Sequence, residues 1–105
     1  MSSSMTIDAH FMKMATPLLS EFGFPTVKEL VREQLCLMLQ SKISHYAAES
    51  SLYESRCGGA FEEVYIRANS EGQENFEMDD ILNDWRFARE ATELYRSKLK
   101  DIQSA

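Results

Sequence analysis

No glycine or proline interrupts the chain between Val27 and Cys57, and this unbroken stretch does most to limit what the protein can fold into. Glycine and proline are the strongest helix breakers, so their absence over such a length allows one long helix. Cys36, Leu39, Ile43, Tyr46, Ser50, Tyr53 and Cys57 follow one another at spacings of 3 and 4, which marks a seam on one helix face. Leu30, Val31, Leu35 and Met38 widen the seam near its start. Pro25 stands just outside, and Thr26-Val27-Lys28-Glu29 has the form of a capping box, with a hydroxyl at the cap and a carboxylate three residues on. Gly58-Gly59 ends the helix, because glycine accepts the left-handed conformation found there. These signals predict a helix over about 27–57. A helix of about 30 residues spans roughly 45 Å, longer than a compact domain of this mass. Part of the seam is therefore expected to project beyond what the chain's own helices cover, and a second copy or another protein is the expected cover.

A second seam runs through Met78, Ile81, Trp85, Ala88, Thr92, Tyr95, Leu99 and Ile102, again at spacings of 3 and 4. It predicts a final helix over about 76–102. Acids crowd its first turns and Arg96, Lys98 and Lys100 its last, the distribution that complements a helix dipole. Between the two long helices, Ala60 to Ala68 predicts a short helix over about 60–68, with Phe61, Val64 and Tyr65 inward, followed by a polar loop from Asn69 to Asn75. Upstream, Ile7 to Ala15 has helical character, Pro17 interrupts it or opens a new turn, and Gly23 ends a helical region of about 8–22. Phe11, Ala15, Leu18 and Phe22 share a face there. Residues 1–6 read as a flexible leader, with either Met1 or Met5 as the start. The expected fold is all-α: a single domain over 1–105, with two long amphipathic helices packed as a hairpin-like pair beside one or two short ones. It is expected to be dimeric through Leu39, Ile43, Tyr46 and Tyr53.

With 11 basic and 17 acidic residues among 105, the chain carries a formal charge of -6. Duplex DNA binding rests on Lys and Arg neutralising phosphates, so this balance makes a nucleic-acid partner unlikely. One basic run remains as a DNA-linked reading, Arg86, Arg89, Arg96, Lys98 and Lys100, but Glu90, Glu93 and Asp101 break it up. No stretch approaches the roughly 20 apolar residues of a membrane helix, and no basic-then-apolar leader is present. A cytoplasmic protein without membrane contact is expected. Cys36 and Cys57 on one continuous helix would lie roughly 31 Å apart, whereas a disulfide needs Cα atoms within about 7 Å. Two reduced, packed thiols are expected. Cys57 would also sit at a helix C-terminus, where the dipole disfavours a thiolate.

Between Glu71 and Asp84 there are six acids (Glu71, Glu74, Glu77, Asp79, Asp80 and Asp84) and no Lys or Arg. Glu77, Asp80 and Asp84 share a helix face, and three carboxylates together suit Mg²⁺ or Ca²⁺. Glu77-x-x-Asp80 also matches one half of the carboxylate pattern of all-helical nucleotide pyrophosphohydrolases. Those enzymes need a second acidic pair on an earlier helix, and Glu29/Glu33 and Glu49/Glu54 have the wrong spacing. A divalent-metal nucleotide hydrolase is therefore the rival reading, and no metal and no cofactor are expected. His45 and Glu49 are four apart but lack a third ligand. No Gly-x-Ser-x-Gly elbow occurs, and no Lys-Ser/Thr follows Gly58-Gly59 to make a phosphate loop. Most of the acidic charge is accounted for as a solvated helix start. The remainder points to a partner-facing surface made of Glu71, Glu74, Glu77, Asp80, Asp84, Trp85 and Phe87. Phe87 lies off the main seam with Ala91 and Leu94, so the last helix is expected to use two sides.

Three segments carry a family resemblance: Phe24-Pro25-Thr26-Val27-Lys28-Glu29-Leu30 leading into the long helix, Phe61-Glu62-Glu63-Val64, and Asn75-Phe76-Glu77-Met78-Asp79-Asp80 with Trp85 and Ala88 behind it. From Phe24 to Leu99 the chain resembles small, charged, all-helical prokaryotic antitoxins of toxin–antitoxin pairs. The resemblance implies a non-enzymatic partner binder that masks a toxin, with a basic protein as partner. No helix-turn-helix or ribbon-helix-helix segment accompanies it, which sets autoregulation by this chain apart from the resemblance.

Overall fold

A computed structural model describes residues 8–70 and 75–105. Its regular elements are four helices: α1 (Ala9–Glu21), α2 (Val27–Cys57), α3 (Phe61–Ser70) and α4 (Phe76–Gln103). No strand occurs among the described residues. The expected leader, 1–6, and the acids Glu71 and Glu74 lie outside them. The chain forms two compact units, Met1–Leu35 and Cys36–Ala105, with α2 contributing to both.

In the first unit, Asp8 caps α1 by accepting from the Phe11 N–H at 2.7 Å, which satisfies one of the free donors of the first turn. Pro17 does not break the helix as its sequence position suggested; α1 continues through it. Proline removes one backbone donor, and the residues on either side of it are exposed, so the freed carbonyl is open to solvent. Close by, Thr16 Oγ1 donates to the Met12 carbonyl at 2.6 Å, a further side-chain bond into the helix backbone. At the far end Gly23 takes φ +87°. Its N–H donates to Ser20 O, and the Phe24 N–H donates to Leu19 O at 2.7 Å. This is a Schellman ending, and Leu19 and Phe24 supply its usual apolar pair. Both line a shallow hollow with Leu18, Phe22 and Leu30. None of the described residues of this unit is buried, and Met14, Phe11 and Phe22 are exposed.

Thr26 caps α2, its Oγ1 accepting from the Glu29 N–H at 3.2 Å. Only this half of the expected capping box forms. The Glu29 carboxylate turns forward to Arg32 at 2.7 Å, because a full charge three residues on attracts it more than a neutral N–H. Val31, Leu35 and Met38, expected to widen the seam, are exposed. Hydrophobicity marks where cover is favourable; it does not supply the cover.

The second unit holds the core. Val64, Leu82, Trp85, Ala88 and Ala91 are buried, and Tyr53, Cys57, Phe61, Ala68 and Met78 pack around its centre. Gly58 stops α2 at φ +71°, its N–H donating to Glu54 O, and Arg67 Nη2 donates to Cys57 O at 3.2 Å. Asn75 caps α4, accepting from the Met78 N–H at 3.0 Å. The two long helices pack through side chains: Tyr46 stacks on Tyr95 with centroids 6.0 Å apart, and Tyr53 on Trp85 at 6.2 Å. α3 closes the other side, with Phe61 edge-on to Trp85 at 5.2 Å. Every residue of the α4 seam is buried or half-buried. Leu82 and Ala91 join it because α4 is covered by both α2 and α3, so its buried arc is wider than one seam. Tyr65, expected inward, is 40% exposed.

Candidate protein-interaction surfaces

Trp85 is 1% exposed and its indole Nε1–H donates to Ser50 Oγ at 3.1 Å. The expectation that it faces a partner is corrected: Trp85 is the central core residue of its unit. A buried indole needs an acceptor for its N–H, and Ser50, on the α2 seam, provides it. What the sequence presents as a small seam residue is thus the polar anchor of the core. Thr92, buried on the same face of α4, satisfies its hydroxyl on the Ala88 carbonyl at 2.7 Å.

Glu77, Asp80, Asp84, Phe87, Ala91 and Leu94 follow one another on α4 at spacings of 3 and 4 and therefore share one face. The three carboxylates are exposed, Phe87 is 60% exposed and Leu94 53%. None of the three acids has a cationic partner among the described residues. Helix-dipole stabilisation falls off within the first turn. It therefore accounts for Glu77 and Asp79, and leaves Asp80 and Asp84 as charge that serves no local purpose. One stripe thus carries exposed acids at one end and exposed Phe87 and Leu94 at the other, with buried Ala91 between them. Glu71 and Glu74, expected to extend the acidic end, lie outside the described residues.

Arg86, Arg89, Glu93 and Arg96 form a second stripe at spacings of 3 and 4. At about 100° per residue the centres of the two stripes point to opposite sides of α4, and Leu94, at the end of the first, also borders the groove of the second. The arginine side opens into a groove of about 860 Å³, with Ala47 and Ser50 of α2 and Phe61 of α3 among its lining. Phe61 is the hub. Arg89 Cζ lies 4.7 Å from its ring centroid and Arg86 Cζ 5.9 Å, while Arg86 also sits 5.4 Å from the Tyr65 ring. Arg89 donates to Glu62 Oε1 at 2.7 Å. A hydrogen bond from its own backbone N–H, then the bond and charge of Arg89, hold the Glu62 carboxyl below the usual carboxylate range. Sequence reading took these arginines for an interrupted basic run; their spacing of 3 and 7 was the signal that they share a face.

Of the seam residues expected to join two copies, Leu39, Ile43, Tyr46 and Tyr53 are all half-buried. Tyr46 meets Phe87 edge-on at 5.7 Å and Tyr95 face-on, and Tyr53 meets Trp85, so both tyrosine rings already have partners in their own chain. His45 Nε2 and Glu49 Oε2 are 3.0 Å apart on an exposed turn, and His10 is exposed on α1. Cys36 and Cys57 are free thiols, both half-buried. Among the described residues no group of three or more His, Cys, Asp or Glu is placed to hold a metal ion, and no helix is long and apolar enough to cross a membrane. No protein family, curated protein or solved structure matches this chain.

Proposed function

We propose that this chain is a non-enzymatic protein-binding module, an antitoxin-like inhibitor that masks a basic protein partner. The observation that carries the reading is the α4 stripe in which exposed Glu77, Asp80 and Asp84, without ion-pair partners among the described residues, lead into exposed Phe87 and Leu94. Carboxylates at the rim steer a cationic partner into encounter, and apolar side chains supply the area that holds it. In this reading the module works as a homodimer, with Leu39 and Ile43 at the junction and in a cytoplasmic setting. Co-expression with the product of the neighbouring gene, followed by native purification, tests the assignment. A stoichiometric basic partner is expected, released by raised salt and lost in the Glu77→Gln/Asp80→Asn/Asp84→Asn variant. Recovery of no partner, or of one indifferent to salt and to the triple substitution, refutes it. Sedimentation of Ile43→Lys addresses the dimer; a wild-type chain that already sediments as a monomer removes that part.

A further inference from the structure

The arginine groove differs in chemistry from the acidic stripe. Its three guanidinium groups are held differently. Arg89 is fixed by Glu62, with Phe61 beneath it. Arg96 meets Glu93 at 3.3 Å across exposed side chains, an arrangement that water and salt loosen readily. Arg86 is half-buried, its Cζ 5.9 Å from the Phe61 ring centroid and 5.4 Å from that of Tyr65, and it has no carboxylate partner among the described residues. In a chain with a net charge of -6, a half-buried cation without an acid is conspicuous. The two rings hold the guanidinium near the groove by cation–π attraction, and its N–H fork matches a carboxylate.

A second donor lies in the same groove. Ser50 Oγ accepts from Trp85 Nε1, and its own hydroxyl proton meets no acceptor among the described residues. Ala47, Ser50 and Thr92 are small, which lets a ligand's backbone come close. The groove also has negative walls, because Glu90 and Glu93 line it. A polyphosphate backbone would set successive charges against these two acids. A peptide can place one carboxylate on Arg86 and neutral residues beside them. We infer that the groove lined by Arg86, Ser50 and Phe61 binds an acidic segment of a partner protein, with a Glu or Asp carboxylate seated on Arg86.

This inference does not depend on the carboxylates of the acidic stripe; of that stripe only Leu94 borders the groove. The test is an NMR titration of the ¹⁵N-labelled full chain with an amphipathic peptide of Glu, Ala and Leu. A Lys-for-Glu counterpart and an oligothymidylate of equal charge serve as controls. The expected result is shifts confined to the Arg86 side chain and the Ala47, Ser50 and Thr92 amides, with Asp80 and Asp84 unmoved. Arg86→Lys keeps the charge and loses the planar fork, and should weaken the acidic peptide at least about fivefold. Glu90→Gln, at an exposed position in the groove wall, should tighten it. Failure of the acidic peptide to bind, equal binding by the Lys peptide, or displacement by the oligothymidylate overturns the inference. So does an unchanged affinity in both variants.

Discussion

Ser50→Ala should destabilise the protein in the presence of Trp85 and stabilise it slightly in its absence. Trp85 is 1% exposed and its indole N–H has Ser50 Oγ as its acceptor. Removing the hydroxyl strands a buried donor, which costs about 1–3 kcal/mol. Alanine is the better helix former and returns roughly 0.5 kcal/mol on α2. A net loss of about 0.5–2.5 kcal/mol remains. For a chain of this length about 1 kcal/mol moves the melting temperature by roughly 4–8 °C, so the effect is measurable. Trp85→Phe removes about three ring atoms from a filled core as well as the N–H, and should cost about 2–3 kcal/mol. In that background Ser50 has no indole to serve, so only the propensity gain remains and Ser50→Ala should raise stability by roughly 0.5 kcal/mol. The coupling between the sites is then on the order of 1–3 kcal/mol. Urea unfolding followed by far-ultraviolet circular dichroism measures all four proteins without relying on tryptophan emission, and equal m-values verify that the unfolded states are comparable. If Ser50→Ala has the same sign and size with Trp85 and with Phe at that position, the hydrogen bond does not hold the core.

Three further outcomes follow from the same packing. The Glu62 carboxyl is held below its ordinary value of 4.5, so folding is favoured by its ionised form at pH above the carboxylate range, and that contribution disappears as acid protonates it in the folded state. Carbon-detected titration should place Glu62 below the other glutamates, and Arg89→Gln should move it up; a Glu62 that titrates with the rest contradicts the pair. Gly58→Ala should cost about 1–2 kcal/mol because φ is +71° with open space around the new methyl. Gly59→Ala, whose methyl would sit 3.4 Å from Glu63 Oε2 and 3.7 Å from Val64 Cγ2, should cost less, and thermal melts rank the two. Asn75→Ala removes the acceptor for the Met78 N–H and should cost about 1 kcal/mol, whereas Asn75→Asp should retain most of the stability.

The all-helical class and the pairing of the two long helices were legible in the chain, because a seam repeated at 3 and 4 commits a face to burial wherever it lands. All seven residues of the α2 seam, from Cys36 to Cys57, are half-buried, and the eight of the α4 seam are buried or half-buried. The α1 and α4 caps were less legible. Asp8 and Asn75 are common surface residue types, and nothing in their neighbourhood distinguishes a cap from a loop until the backbone turns. Pro17 left two readings of a helical region that α1 spans as one helix, because local sequence shows the lost donor and not the exposure that tolerates it. The arginine groove was hidden for a different reason: Phe61 and Arg86 are brought together only when α3 folds back onto α4.

By itself the sequence determined periodicity, helix ends at Gly23 and Gly58, and a charge excess between Glu77 and Asp84 larger than a helix dipole can use. Each of these is a property of near neighbours, carried by the backbone's 3.6-residue repeat and by the freedom of glycine at positive φ. Tertiary structure alone decided that Trp85 turns inward onto Ser50, 35 residues away, that Val31 and Met38 stay uncovered, and that the arginine stripe of α4 is walled by α2 and α3. Burial and pairing depend on which surfaces meet. That depends on contacts distant in the chain, which no local pattern of residues specifies.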